Sequence, residues 1–317
     1  MIGRDEELVT VFGGDGFIGR YVCEFLLRSG VRVRVASRDP RNSYFIQPLG
    51  QVGQFGFIEA DITDAASVRR AVDGTSAVVN LVGVFGRQMQ RVHVDGARHV
   101  AEAARDAGVK ALVHVSAIGA DPASPSNYGR TKGEGELAVR KAFPKATVVR
   151  PSLVFGPEDN FTNRFAAMAR LPILPVIAAV RNFQPVYVRD IALAIAKATL
   201  DLEPHGGKTY EIGGPQVLSM IELHRTILGI TGQSPELVPM PDLFGAALSW
   251  FGWMPGAPLT RDQWLMLQRD NVPENGAPGL EAFGIAPTPL AAVAPEWLGR
   301  FCGNRFAAKR IQLTPTA

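Results

Sequence analysis

Directly after a short apolar run, Leu8–Phe12, the chain reads Gly13-Gly14-Asp15-Gly16-Phe17-Ile18-Gly19, and an amphipathic stretch follows at once. Each of three glycines answers a separate steric demand. Gly13 permits a tight turn, Gly16 lets the backbone approach a pyrophosphate, and Gly19 lets the following helix pack close to the strand. The amino terminus of that helix, reached through Phe17 and Ile18, then points free N–H groups at an anion. A lone glycine pattern is weak evidence. Between a strand and a helix it marks a dinucleotide-binding βαβ unit, and few other chain paths satisfy it.

The rest of the first half keeps that rhythm. Further strands are predicted at 31–36, 57–60, 77–82, 111–116 and 147–150, with helices at 19–29, 65–72, 92–107 and 128–142. Strands separated by helices of this length imply parallel crossovers, hence an α/β fold with a Rossmann-type doubly wound parallel sheet. After about residue 155 the prolines cluster at 172, 175 and 185, at 235, 239 and 241, and from 255 onward. Residues 1–155 are therefore read as the nucleotide-binding core. Residues 156–317 are read as a mixed region that completes the core and forms a smaller carboxyl-terminal lobe on the substrate or partner side. A chain of 317 residues, 46% hydrophobic, builds such a core without disulfides. Its two cysteines form no metal-spaced cluster, so no metal is expected and a reducing compartment is the default. A net charge of +3 gives no sign of a nucleic-acid partner. The acidic, polar start, Met1-Ile-Gly-Arg-Asp-Glu-Glu, is unlike a secretory signal.

The end of the second strand chooses between cofactors. NAD sites usually carry an acid there for the ribose 2′-OH, whereas this chain has Ala36-Ser37-Arg38-Asp39. A guanidinium at Arg38 suits a 2′-phosphate, with Ser37 adding a hydroxyl, so NADP(H) is favoured over NAD(H). The alternative is a solvated Arg38 with Asp39 on the ribose. Asp61-Ile62 closes the third strand, where Asp61 either accepts from the adenine amino group or caps the helix that begins near Asp64. Leu81 and Gly83 end the fourth strand, and Gly83 lets a cofactor lie against the backbone.

Tyr128-Gly-Arg-Thr-Lys132 places a phenol and an ammonium one helical turn apart. A phenol with a reference pKa of ~10 is a poor catalyst at neutral pH, and a lysine beside it favours the phenolate. Ser116, at the end of a strand, can donate to a substrate carbonyl. With these residues assembled, the chain resembles the extended short-chain dehydrogenases/reductases of the NAD-dependent epimerase/dehydratase group. More narrowly, it resembles the NADPH-binding accessory-subunit family of respiratory complex I, the NADH:ubiquinone oxidoreductase. That match runs in order along nearly the whole chain, through 12–21, 114–132, 142–165, 184–190, 259–262 and 279–285. The resemblance implies Ser116, Tyr128 and Lys132 as the catalytic set. It also places Pro151, Ser152 and Val154 beside the nicotinamide, although Pro151 equally shapes a plain strand exit. Gln184-Pro-Val-Tyr-Val-Arg-Asp190 either contacts ligand or forms a core strand.

Two residues depart from the pattern. Phe12 replaces a common threonine, and His93 stands where many members carry an active-site asparagine, which counts against sugar epimerase or dehydratase chemistry. The other histidines, at 99, 114, 205 and 224, lack metal spacing and read as surface or satisfied core residues. Residues 243–260 carry no charge and are rich in Leu, Phe and Trp, but glycines and prolines interrupt them, so they suit a surface better than a span. Arg300, Arg305, Lys309 and Arg310 follow without an acid after Glu296. An apolar wedge near a basic tail fits an anionic membrane or respiratory-complex subunits, the alternative being core packing and a solvated tail. The reading is a nucleotide-holding accessory protein, peripheral on the cytoplasmic side of an inner membrane or cytoplasmic, whose NADP(H) is mainly structural or regulatory. The alternatives are a free-standing NADPH-dependent reductase of a quinone-related or other apolar carbonyl, and a sensor of the NADPH/NADP⁺ ratio. The substrate is not legible.

Overall fold

The computed structural model describes residues 7–254 and 259–302. In chain order the regular elements begin with β1 (Leu8–Phe12), α1 (Phe17–Arg28), β2 (Arg32–Ser37), β3 (Phe55–Glu59), α2 (Ala65–Val72) and β4 (Ala77–Asn80). They continue through α3 (Ala97–Asp106), β5 (Ala111–Val115), α4 (Asn127–Ala142) and β6 (Thr147–Pro151). Shorter pieces follow: β7 (Val154–Phe155), α5 (Asn160–Met168), β8 (Ile173–Val176), β9 (Asn182–Phe183), β10 (Val186–Tyr187), α6 (Val188–Leu200), α7 (Leu202–His205) and β11 (Thr209–Ile212). The last are β12 (Leu218–Ser219), α8 (Met220–Thr231), β13 (Glu236–Pro239), α9 (Asp242–Trp250), α10 (Arg261–Met266), α11 (Leu290–Val293) and α12 (Pro295–Leu298).

One compact unit contains the described chain up to Ser152, together with Val188–Gly213 and Pro273–Pro287. Its seven-stranded sheet runs β11-β6-β5-β4-β1-β2-β3, and every neighbouring pair is parallel. Strand order reverses between β1 and β4, which opens a crevice at their carboxyl ends where ligands of such sheets lie. The central strands are apolar runs because helices cover both faces. All five residues of β5 are buried, as are all four of β4. One face holds α2, α3 and α4 over Val68, Val78, Val100 and Val139. On the other, α6 lies along α1, and Arg189 donates from both terminal nitrogens to Glu24, at 3.0 and 2.9 Å.

The expected strands and helices of the first half are present within a residue or two at most ends. The helix expected over 92–107 instead opens with a π-helical stretch, Gln90–Gly96, before α3. The seventh strand, β11, comes from the second half. A buried network ties it to the site-bearing helix: Arg150 on β6 donates to Glu136 on α4 (2.9 and 2.7 Å) and to Glu211 on β11 (3.1 Å), and Glu211 also accepts from the Glu274 N–H.

The second unit comprises Leu153–Tyr187, Gly214–Val272 and the chain from Thr288. It is built on a cluster of Phe155, Leu223, Ile227, Leu290 and Trp297, with three short two-stranded pairs around it. Residues 255–258 and the tail bearing Arg305, Lys309 and Arg310 lie outside the described residues.

Candidate functional site

The glycine turn is shaped as the sequence requires. Gly13 has φ +76° and donates its N–H to Ala36 O on β2. A Cβ on Gly19 would fall 2.1 Å from Gly13 O and 2.7 Å from Gly14 Cα, so only glycine lets α1 start this close to the turn. Gly16, the N-cap of α1, is exposed, and no side chain caps the helix there. The first-turn N–H groups are thus left for an outside acceptor. Phe17 and Ile18 form the first turn, both half-buried.

At the carboxyl end of β2 the expected residues divide. Arg38 is exposed and, among the described residues, makes no hydrogen bond or ion pair. Ser37 is committed inward: its single hydroxyl proton faces Asp15 Oδ2 at 2.9 Å and Asp39 O at 3.0 Å. Asp39 accepts from the Arg41 N–H and side chain as it caps a short 3-10 segment. Asp61 is not the cap of α2, a role Asp64 takes by accepting from the Ala66 N–H. Instead Asp61 Oδ1 accepts from Thr63 N and Oγ1, both at 2.8 Å. Partial burial pushes its carboxyl up, but the Thr63 hydrogen bonds and the charges of Arg38 and Arg91 outweigh this and hold it below the usual range. Ile62 buries its side chain in the core, and its carbonyl accepts from His99 Nδ1.

Further along the crevice, the residues expected to be catalytic lie near Lys132. Its ammonium is buried and donates to Val115 O at 3.0 Å, next to Ser116. A Cβ on the exposed Gly83 would sit 3.4 Å from Lys132 Nζ, which joins the end of β4 to the same point. Leu81 anchors that strand end by donating its N–H to Phe12 O. Burial pulls Lys132 down to about 8, against the attraction of Glu136. Ser116 Oγ is buried and has no partner among the described residues. A native structure rarely leaves such a group unsatisfied unless a ligand or water completes it. Tyr128 lies one turn before Lys132 with its ring half-buried, and desolvation pushes the phenol up to about 12. Burial keeps the proton on, which suits a donor more than a base. Pro151 ends β6, its carbonyl accepting from Ile118 N, whereas Val154 belongs to β7 in the second unit.

Three further residues adjoin this set, of which sequence reasoning singles out His93, reads His114 as an ordinary surface or core histidine, and misses Phe85. His93 is buried within the π-helical stretch; its Nε2 accepts from the Val84 N–H at 3.0 Å. Its proton must then sit on Nδ1, facing Thr131 Oγ1 at 2.9 Å. Phe85 stacks on Tyr128, with centroids 4.7 Å apart and planes 15° from parallel. His114 lies beneath on β5. Asn80 Oδ1 accepts from the Val82 N–H, which turns the Asn80 amide NH₂ toward His114 Nδ1 at 3.3 Å. The His114 proton is thus on Nε2, buried and without a partner among the described residues. Burial, with Lys132 as the next cause, pulls both histidines down to about 3, so both are neutral. The signal for His93 was its place in the family pattern; nothing in the sequence pointed to Phe85. Apart from Tyr128 and Lys132, no pairing of these residues was legible.

Comparison with known proteins identifies the family and the fold. The model of the NAD dependent epimerase/dehydratase family matches residues 9–213. The mitochondrial protein NADH dehydrogenase (ubiquinone) 1 alpha subcomplex subunit 9 of Mus musculus is 36% identical, over 98% of this chain and 84% of that protein. A ceramide reductase of Caulobacter vibrioides is 30% identical over 74% of this chain and 74% of its own length. Among solved structures, the NADPH-dependent quinone oxidoreductase QOR2 of Escherichia coli, complexed with NADPH, matches with a TM-score of 0.72. It covers 92% of this chain and 99% of that one at 21% identity, a likeness of fold.

Proposed function

The chain belongs to the NAD-dependent epimerase/dehydratase family, and from that premise we propose that it is a nucleotide-holding accessory subunit of a respiratory NADH:ubiquinone oxidoreductase, with NADP(H) as its cofactor. The observation that carries the reading is the 36% identity to the alpha subcomplex subunit 9, spread over 98% of the chain. An uncapped helix amino terminus behind a glycine turn that admits no Cβ at Gly19 fits a pyrophosphate. Gly13, Gly16 and Gly19 would face it, with the N–H groups of Phe17 and Ile18. Asp61 would accept from the adenine amino group, and Lys132 would hold the nicotinamide ribose. The Arg38 guanidinium, unpaired among the described residues, would meet a 2′-phosphate by charge-assisted hydrogen bonds. Bound NADPH would supply hydride chemistry; in the accessory role its larger contribution is to stabilise the folded state by mass action.

A second reading, an NADPH-dependent reductase of an apolar carbonyl, is favoured by the buried Ser116 Oγ, which has no partner among the described residues. In it Ser116 polarises the carbonyl, Tyr128 gives up its proton and Lys132 orients the ribose. The same residues serve both readings, so binding alone does not separate them. A carbonyl panel does: turnover lost in Tyr128→Phe, with nucleotide still bound, favours the enzyme.

The cofactor assignment has a direct test by calorimetry. Arg38→Glu is expected to raise the NADPH dissociation constant at least ten-fold and the NADH constant far less, because only the former carries the extra phosphate. Equal effects on both nucleotides would remove Arg38 from the site.

A further inference from the structure

Residues 81–86, Leu-Val-Gly-Val-Phe-Gly, leave β4 beside the catalytic set without a single polar side chain. Phe85 in that loop is 64% exposed, yet its ring lies flat on Tyr128. An exposed aromatic held in a defined stack needs something to hold its backbone, and His93 does so. Nε2 accepts from the Val84 N–H next to Phe85, Nδ1 faces Thr131 Oγ1, and Thr131 Oγ1 donates to Asn127 O at 2.8 Å. The imidazole also meets Tyr128 edge-on, with centroids 5.4 Å apart. Both ring nitrogens are thereby consumed inside the protein. The imidazole therefore has no hydrogen bond left for a ligand. A site lined this way penalises a sugar, whose hydroxyls would be dehydrated without replacement. It rewards a flat, uncharged ring, which gains from an aromatic face.

We propose that the Phe85–Tyr128 stack, pinned by His93, is the recognition face for a planar, uncharged carbonyl compound whose oxygen is received by the Ser116 hydroxyl, which has no partner among the described residues. The inference rests on the nucleotide-binding reading above and extends it to a second ligand, bound in either the accessory or the reductase role. His93 is a positioning residue here: it fixes the loop and does not touch the ligand.

The test uses the full chain saturated with NADP⁺, which cannot reduce the probe, and ligand-observed NMR. The probes are 2-acetonaphthone, its saturated counterpart cyclohexyl methyl ketone, and UDP-glucose. The planar ketone is expected to bind about five-fold more tightly than the saturated one, the size of one aromatic contact. Phe85→Ala should erase that preference. His93→Ala should do the same, and His93→Gln, which keeps an acceptor for the Val84 N–H, should restore part of it; a merely structural loss would not be rescued this way. A preference that survives Phe85→Ala, or tighter binding of UDP-glucose than of either ketone, overturns the proposal. If NADP⁺ is retained and the ketones bind equally, only this inference falls. If NADP⁺ itself is not retained, the nucleotide reading falls and takes the inference with it.

Discussion

At the scale of single residues, the most consequential feature is how many buried nitrogens are kept neutral beneath the crevice. His93 and His114 are each pulled from an ordinary pKa of 6.5 to about 3, chiefly by burial. Between those values the unfolded chain binds a proton at each position and the folded chain does not, so stability is highest above 6.5 and is lost as pH falls toward 3. Between pH 6.5 and 5 the loss is about 2 kcal/mol per histidine. His114→Gln can keep a polar contact to Asn80 but cannot titrate. Its urea midpoint should therefore fall less between pH 7 and 5 than that of the unsubstituted protein. Parallel pH profiles would show that His114 titrates normally in the folded state. Lys132, lowered from 10.5 to about 8, acts on the alkaline side with the same sign: its unfolded form holds more protons between these values, so stability rises with pH there. None of this was legible in the sequence, where His114 is a polar interruption in an apolar run. Its partner, Asn80, lies on a different strand 34 positions away.

At the scale of elements, the site depends on how closely α4 packs on the π-helical stretch. A Cβ on Gly135 would fall 2.1 Å from His93 O, so that glycine sets the distance between the helix bearing Tyr128 and Lys132 and the segment bearing His93. Gly135→Ala forces backbone to shift and should cost about 1–3 kcal/mol in chemical denaturation. The control is Gly229 in α8, where a Cβ would meet nothing within 4 Å. Gly229→Ala should instead stabilise by about 0.5–1 kcal/mol through helix propensity. If both substitutions had the same sign, close approach at Gly135 would not be what its glycine serves. Elements of the first half could be read because parallel strands covered on both faces leave unbroken apolar runs, as in Ala77–Asn80 and Ala111–Val115. The π-helical stretch could not, because its inserted residue answers a contact with α4 rather than any local preference. Nor could β11, whose Thr-Tyr-Glu-Ile is too short to stand out and becomes a strand only by pairing with β6.

At the scale of the whole molecule, one helix of the second unit is turned against the usual logic of burial. Along α9 the exposed positions include Leu243, Phe244, Ala247 and Trp250, the first, third and fourth at helical spacing, while the buried ones are Gly245 and Ser249. Small residues point inward because Trp264 fills the space: a Cβ on Gly245 would lie 2.3 Å from its ring. Large apolar residues point out, and Phe251, Trp253 and Met254 continue the exposed surface. No helix among the described residues is long and apolar enough to cross a membrane. A short helix with an outward apolar face suits a lipid interface, where Trp and Leu gain by burial while the chain stays on one side. The full chain should therefore co-sediment with vesicles of anionic phospholipid, its Trp emission shifting to the blue. Burying a large apolar side chain is worth about 1.5–3 kcal/mol, so Leu243→Glu combined with Trp250→Glu should weaken partitioning by well over ten-fold. Raised salt should weaken it less than the double substitution does, since the outward face of Leu243, Ala247 and Trp250 contributes apolar area. Partitioning that ignores both substitutions but collapses in salt would move the contact away from this helix to basic residues elsewhere in the chain.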